Sequence, residues 1–176
     1  MSQGPRGDPL FVVVNGPPGS GKTTLGEELA SKLGLPLLSK DALKEALMDE
    51  LGVPDMETSR QLGQTAMTAL MAKALDSPTG GVLEANFNRS LAVSDLGRLP
   101  GHVVEVFCRC PRELCLARYR KRSSDRHPGH FDAERSATDL WNDETTVPIG
   151  EGWKVIEVDT SVPVDVSSLV EEVGTT

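Results

Sequence analysis

The chain has 176 residues, 38% of them apolar, 4% aromatic and a quarter charged, with a net charge of −8. These figures fit one soluble globular domain spanning 1–176 with a sizeable core, and no apolar run approaches the roughly 20 residues that a membrane helix needs. The charge is uneven: seven basic residues against two acids give residues 109–126 a charge of +5 and leave −13 elsewhere, which argues against general nucleic-acid binding and for one localised anion site.

Residues 1–9 are polar and rich in Gly and Pro, and are expected to form a flexible N-terminus. The apolar run behind them is too short for a secretion signal, so a cytoplasmic location is expected. That run, at 10–15, predicts a first strand, with further strands at 35–38, 81–85, 102–107 and 153–158. Between them, Leu25, Leu29 and Leu33 mark one helical face, and Leu43, Ala46, Leu47 and Leu51 a second. Leu62, Ala66, Met67, Leu70, Met71 and Ala74 mark a longer helix, its methionines read as core filler, that Pro78 and the Gly80-Gly81 pair bring to a stop. Cys108, Cys110 and Cys115 make a poor disulfide framework and lack a fourth zinc ligand; Cys108 and Cys110 are expected on a strand face with Val104 and Val106, as small hydrophobes. Pro111 is placed as the first residue of a helix running to about Arg122, and residues 161–173 as a last helix. Short apolar runs alternating with amphipathic segments predict an α/β fold with a parallel sheet of five strands.

The segment after the first strand reads Gly16-Pro17-Pro18-Gly19-Ser20-Gly21-Lys22-Thr23-Thr24 and satisfies G-x-x-x-x-G-K-[ST] in full. Glycines let backbone N–H groups turn inward as an anion nest, and the following helix offers its positive N-terminal end. Lys22 is expected to reach the β- and γ-phosphates of a nucleotide and the Thr23 hydroxyl to ligate Mg²⁺, with Thr24 the runner-up for that hydroxyl role or else packing or capping at the nucleotide site. No N-K-x-D base-reading motif is present, and the length leaves no room for a motor lid domain.

Three further pieces bear on chemistry. Asp41 and Lys44 follow the second strand at i,i+3, on one helix face, where a carboxylate accepts the proton of an attacking hydroxyl and a lysine steadies an anion; alternatively Ser39 or Asp41 caps the helix. Glu84 ends the third strand, where an acid holds a Mg²⁺-bound water or orients the acceptor, and Arg89 reaches an anionic group or merely decorates the surface. Arg118 and Arg122 share a helix face at i,i+4, with Arg126 just beyond and His127 and His130 flanking Pro128-Gly129. A lid over about 118–131 is expected to close these arginines over a transferring phosphoryl group, with the two histidines shaping it and Arg120 and Lys121 solvated.

Together GPPGSGKTTL, PLLSKDALKEAL, LEANF, the R-x3-R…RHPGH segment and VDTS at 158–161 resemble the small P-loop kinases of the zeta-toxin and chloramphenicol-phosphotransferase-like group, with polynucleotide 5′-kinases as cousins. The resemblance implies strand order 2-3-1-4-5 and ATP with Mg²⁺ as phosphoryl donor. It implies Asp41 as general base, Lys44 where polynucleotide kinases carry arginine, Glu84 where relatives often carry Asp, and Asp159-Thr160-Ser161 beside the adenine. The resemblance does not fix the acceptor, because that group phosphorylates drugs, nucleotide sugars and nucleic-acid ends; the acidic 176-residue chain points to a small hydroxylated molecule of antibiotic, sugar or nucleotide-sugar type. The rival reading is a nucleotide-dependent regulator with slow hydrolysis.

Overall fold

The computed structural model describes residues 7–175; the first six of the nine residues expected to be flexible lie outside that range. Five parallel strands form one sheet: β1 (Leu10–Asn15), β2 (Leu37–Ser39), β3 (Gly80–Glu84), β4 (His102–Arg109) and β5 (Lys154–Asp159), in the order β2-β3-β1-β4-β5. Seven helices connect and follow them: α1 (Lys22–Leu33), α2 (Lys40–Leu51), α3 (Met56–Leu75), α4 (Arg89–Leu96), α5 (Arg112–Ser123), α6 (Ala137–Leu140) and α7 (Val166–Gly174).

The central strands are apolar on both faces because both are covered. Val12, Val14, Val104, Val106 and Cys108 pack against Leu25 and Leu29 of α1 and Val166, Leu169 and Val173 of α7. Phe11, Val13 and Leu83 point the other way, against Leu70 and Ala74 of α3 and Ala92 and Leu96 of α4. All five strands end at one edge, so Asn15, Ser39, Glu84, Arg109 and Asp159 converge where ligands bind in open α/β sheets.

Several boundaries differ from the sequence reading. Gly80 and Gly81 do not stop α3, which ends at Leu75; they open β3, where a Cβ on Gly80 would overlap the Leu10 carbonyl. Pro111 is the N-cap of α5 rather than its first helical residue. The last helix begins only at Val166, because the Asp159 carboxylate accepts from Ser161 N and Oγ and holds a turn, and Asp165 then caps α7 through Ser167 N and Ser168 N. Cys108 lies on β4 as expected, whereas Cys110 falls just beyond the strand; all three cysteines are buried and free. No helix among the described residues is long and apolar enough to cross a membrane.

Sequence reasoning passed over Glu105. It lies in the middle of β4, fully buried, and its carboxylate accepts from Asn15 Nδ2 (3.2 Å), Ile149 N (2.9 Å), Gly150 N (3.0 Å) and Trp153 Nε1 (3.3 Å). Four donors satisfy a carboxylate that has no ion-pair partner among the described residues, and in doing so they fasten the segment before β5 to the sheet. Glu105→Gln turns an NH₂ towards donors that need an acceptor. We expect it to lower unfolding free energy by about 2–3 kcal/mol, read as a shifted urea midpoint at unchanged m-value.

Candidate active site

The loop between β1 and α1 is built from backbone. Gly16 (φ 141°), Gly19 (φ 82°) and Gly21 (φ 91°) adopt positive φ, and a Cβ on Gly16 would lie 2.7 Å from the Cys108 carbonyl oxygen. Gly21 is also the N-cap of α1, so no side chain caps that helix and no acid stands in its first turn, leaving its N–H groups to an anion. Within the loop, Ser20 Oγ is buried without a protein partner, and Lys22 Nζ donates to the Pro17 carbonyl (2.8 Å). Burial pushes the Lys22 ammonium down to about 8, opposed chiefly by Glu84.

Glu84 joins three elements. Its carboxylate accepts from Thr23 Oγ1 (3.4 Å) on α1 and from Ser39 Oγ (2.9 Å) at the end of β2. Ser39 is the N-cap of α2, its Oγ accepting from Ala42 N (3.4 Å), so the capping task falls to it and Asp41 is left for other partners.

Asp41 pairs with Arg126, Nη2 to Oδ2 at 2.6 Å, and Arg126 Nη1 binds Asp132 at 2.8 Å. Burial would raise the Asp41 carboxyl, but Arg126 first, then Lys40, His130 and Lys22, hold it below the usual carboxylate range. Tyr119 Oη donates to the same Asp132 (2.5 Å). His130 Nε2 meets Glu45 (2.7 Å) and His127 Nε2 meets Asp49 (3.2 Å), so both histidines dock the 127–130 turn on α2. Ser59 of α3 completes the seam, donating to the Gly129 carbonyl (2.6 Å) and accepting from Lys44 Nζ (2.8 Å).

Arg122 lies over the Tyr119 ring at 5.8 Å, with its Nε buried and unpartnered, whereas Arg120 is exposed. Arg118 donates to the Thr160 carbonyl (3.0 Å) and, with Gly21, Thr24 and Thr160, lines a cleft of about 430 Å³ beside the start of α1. Asp159, spent on its own turn, is not among the residues lining that cleft. Arg89 is exposed and donates to the Pro148 carbonyl (3.1 Å), outside the larger cleft of about 760 Å³ that Lys40 and Lys44 line between α3 and α4. No motif or spacing marks Asp132, Tyr119 or that cleft as parts of the site.

The donor set fits Mg²⁺ with a nucleotide. No group of three His, Cys, Asp or Glu residues that could hold a metal exists among the described residues, and Mg²⁺ beside phosphates needs only a hydroxyl and a carboxylate, keeping several waters. Thr23 and Glu84 supply that pair.

A P-loop after β1 of a 2-3-1-4-5 parallel sheet, faced by an arginine-bearing segment, defines the P-loop kinase fold. A family model described as an AAA domain matches residues 11–148, and the chain belongs to that family. A solved structure of a candidate kinase from Chloroflexus aurantiacus J-10-fl is 35% identical with a TM-score of 0.85, covering 94% of this chain and 97% of the other. An APS kinase from Mycobacterium tuberculosis, solved with AMPPNP and APS, shares the fold at 21% identity and a TM-score of 0.60, over 95% of this chain and 96% of that one. Shikimate kinase of Rhodococcus jostii is 35% identical over 97 residues, 53% of this chain and 55% of its own length. Cytidylate kinase of Ignicoccus hospitalis is 48% identical over 46 residues, 26% of this chain and 27% of its own length. The chain thus spans about half or less of the length of the curated relatives it matches.

The Asp41–Arg126 pair is directly measurable. Because Arg126 is the strongest of the charges lowering Asp41, Arg126→Ala should raise the Asp41 pKa. An NMR titration of the Asp41 side-chain carboxyl reads the change, and an unmoved midpoint means that the pair does not form in solution.

Proposed function

We propose that this chain is an ATP- and Mg²⁺-dependent kinase that transfers the γ-phosphate to a hydroxyl of a small molecule, with residues 118–131 as its lid. The observation that carries this reading is the convergence of Lys22, Asp41 and Arg126. Lys22 and Asp41 lie near enough to shift one another's ionisation, and Arg126 is bonded to Asp41. That supports a donor phosphate site opposite an acceptor-hydroxyl site, a pairing that a regulator sensing nucleotide alone does not need. The quoted motifs support kinship within the family to the zeta-toxin and chloramphenicol-phosphotransferase-like kinases.

In this reading the inward N–H groups of the loop and Lys22 hold the triphosphate, and Thr23 with Glu84 would hold Mg²⁺ and its waters. Mg²⁺, when bound, neutralises charge on the β- and γ-phosphates. Asp41 orients the acceptor hydroxyl and takes its proton. A carboxylate held below its ordinary range is a weak base, which suits a loose transition state in which the phosphoryl group departs before the hydroxyl is strongly acidic. Arg122 and Arg126 supply charge to the phosphoryl group in flight. Arg118 and Thr160 border the base of the nucleotide, and Lys44 steadies the acceptor.

Two experiments test the assignments. Lys22→Ala should abolish turnover and weaken ATP binding, whereas Asp41→Asn should leave ATP binding nearly intact and slow phosphoryl transfer by roughly 10²- to 10⁴-fold. Slow ATP hydrolysis that ignores both acceptor and Asp41 would instead identify a regulator. For the lid, Arg122→Ala should lower kcat and kcat/KM together with little change in KM, while the exposed Arg120→Ala is tolerated. Equal damage from both would overturn the assignment of Arg122.

A further inference from the structure

The larger cleft is more than a place for a hydroxyl. At about 760 Å³ it has the size of a site for a drug-sized ligand, well beyond what a single small sugar fills. Its long wall is one face of α3, where every fourth residue from Ser59 through Gly63, Met67 and Met71 to Leu75 lines it. From Gly63 to Leu75 that wall runs about 18 Å. Opposite stand Phe87 and Leu91, and Leu91 is 71% exposed, a large apolar side chain with its body in the cleft mouth.

One end is different. Lys40, Lys44 and Arg135 gather there, and none of them has a carboxylate within 4 Å among the described residues. The stems of Lys40 and Lys44 cross α3 at Gly63, close enough that a Cβ there would lie in ordinary contact, 3.7 Å from both Lys40 Nζ and Lys44 Cε. Burial lowers both ammonium groups, Lys44 to about 8; Arg135 adds repulsion at each and Lys40 at Lys44, while Asp41 offsets part of it, so an oxyanion beside them relieves a cost already present. This end adjoins Asp41, one residue from Lys40 and one helical turn from Lys44.

We propose that the acceptor is an amphipathic hydroxylated anion: its oxyanion group rests on Lys40, Lys44 and Arg135, its reacting hydroxyl lies a few bonds away at Asp41, and an apolar body extends along α3 past Met67 and Met71 to Leu91. The proposal rests on the kinase reading for the role of the hydroxyl, but the binding class is read from the cleft itself. Carboxylates and phosphate monoesters share the chemistry of the charged end.

Titration calorimetry on the full chain saturated with Mg²⁺ and ADP tests it. Three amphipathic anions serve as probes: 3-hydroxydecanoate, 3-hydroxy-5-phenylpentanoate and 2-hydroxydecyl phosphate. The controls are 3-hydroxybutyrate, which lacks the body, and 1,3-decanediol, which lacks the charge. At least one probe should bind about tenfold or more tighter than both controls, as burial of several methylenes predicts, and the tighter headgroup identifies the anion. Leu91→Asp should erase the advantage over 3-hydroxybutyrate, and Lys40→Met the advantage over the diol. If no probe outbinds the controls, or the preference survives both variants, the proposal is overturned. Label transfer from γ-labelled ATP in the same samples separates the two readings. Transfer to 3-hydroxybutyrate as fast as to the probes keeps the kinase and removes the amphipathic acceptor, whereas selective binding without transfer does the reverse.

Discussion

The phosphate loop lies so close to its neighbours that side chains are shut out, and much of the molecule follows from that approach. Gly16 faces the Cys108 carbonyl at the end of β4, and Gly19 sits where a Cβ would overlap the Cys115 carbonyl in the first turn of α5. The loop is therefore braced by the same segment that carries Arg118 and Arg122. Below it, Asn15 is anchored to Glu105, which in turn holds the backbone ahead of β5. Burial lifts the Cys108 and Cys115 thiols to about 12, which makes them inert packing in this brace rather than reactive groups.

Glu84 does for the opposite side what the glycines do for the loop. It accepts from Thr23 and Ser39, so a single carboxylate sets the first turn of α1 and the N-cap of α2 in one frame. Asp41 is then displayed by a helix whose start is fixed relative to the phosphate loop. The 127–130 turn docks on that same helix through His127 and His130. Phosphate loop, α2 and that turn share one mechanical reference, the C-terminal edge of three adjacent strands.

What could be read in the sequence was what local spacing encodes. The apolar strands β1 and β4 announce themselves because both faces are buried, and the phosphate loop follows from a motif that keeps its physics within a few residues, whereas strand order comes only with the family resemblance. Asp41 and Glu84 were visible because they end apolar runs. Helix α4 and the stretch from 132 to 150 are opaque for the opposite reason: they are held by distant contacts, such as the Glu144 carboxylate accepting from Ser90 N and Oγ, which leave no periodic trace. Arg126 and its partner Asp41 are legible but Asp132 is not, since it binds Arg126, and accepts from Tyr119, only after the chain has turned back on α5. Met67 and Met71 do pack against the core as expected, yet the same side chains also line the larger cleft, a double duty that helical spacing cannot distinguish.

Beside these two methionines, helix α3 carries residues with a single duty each. Leu62, Ala66, Leu70 and Ala74 are buried in the body of the protein, while Gln64, Thr68 and Ala72 are exposed along the cleft wall. Mutational drift at the second set leaves the packing of the first untouched. The helix thus works as a rewritable cassette: a library randomised at three positions can explore new ligand shapes at almost constant fold stability and without touching the phosphate chemistry.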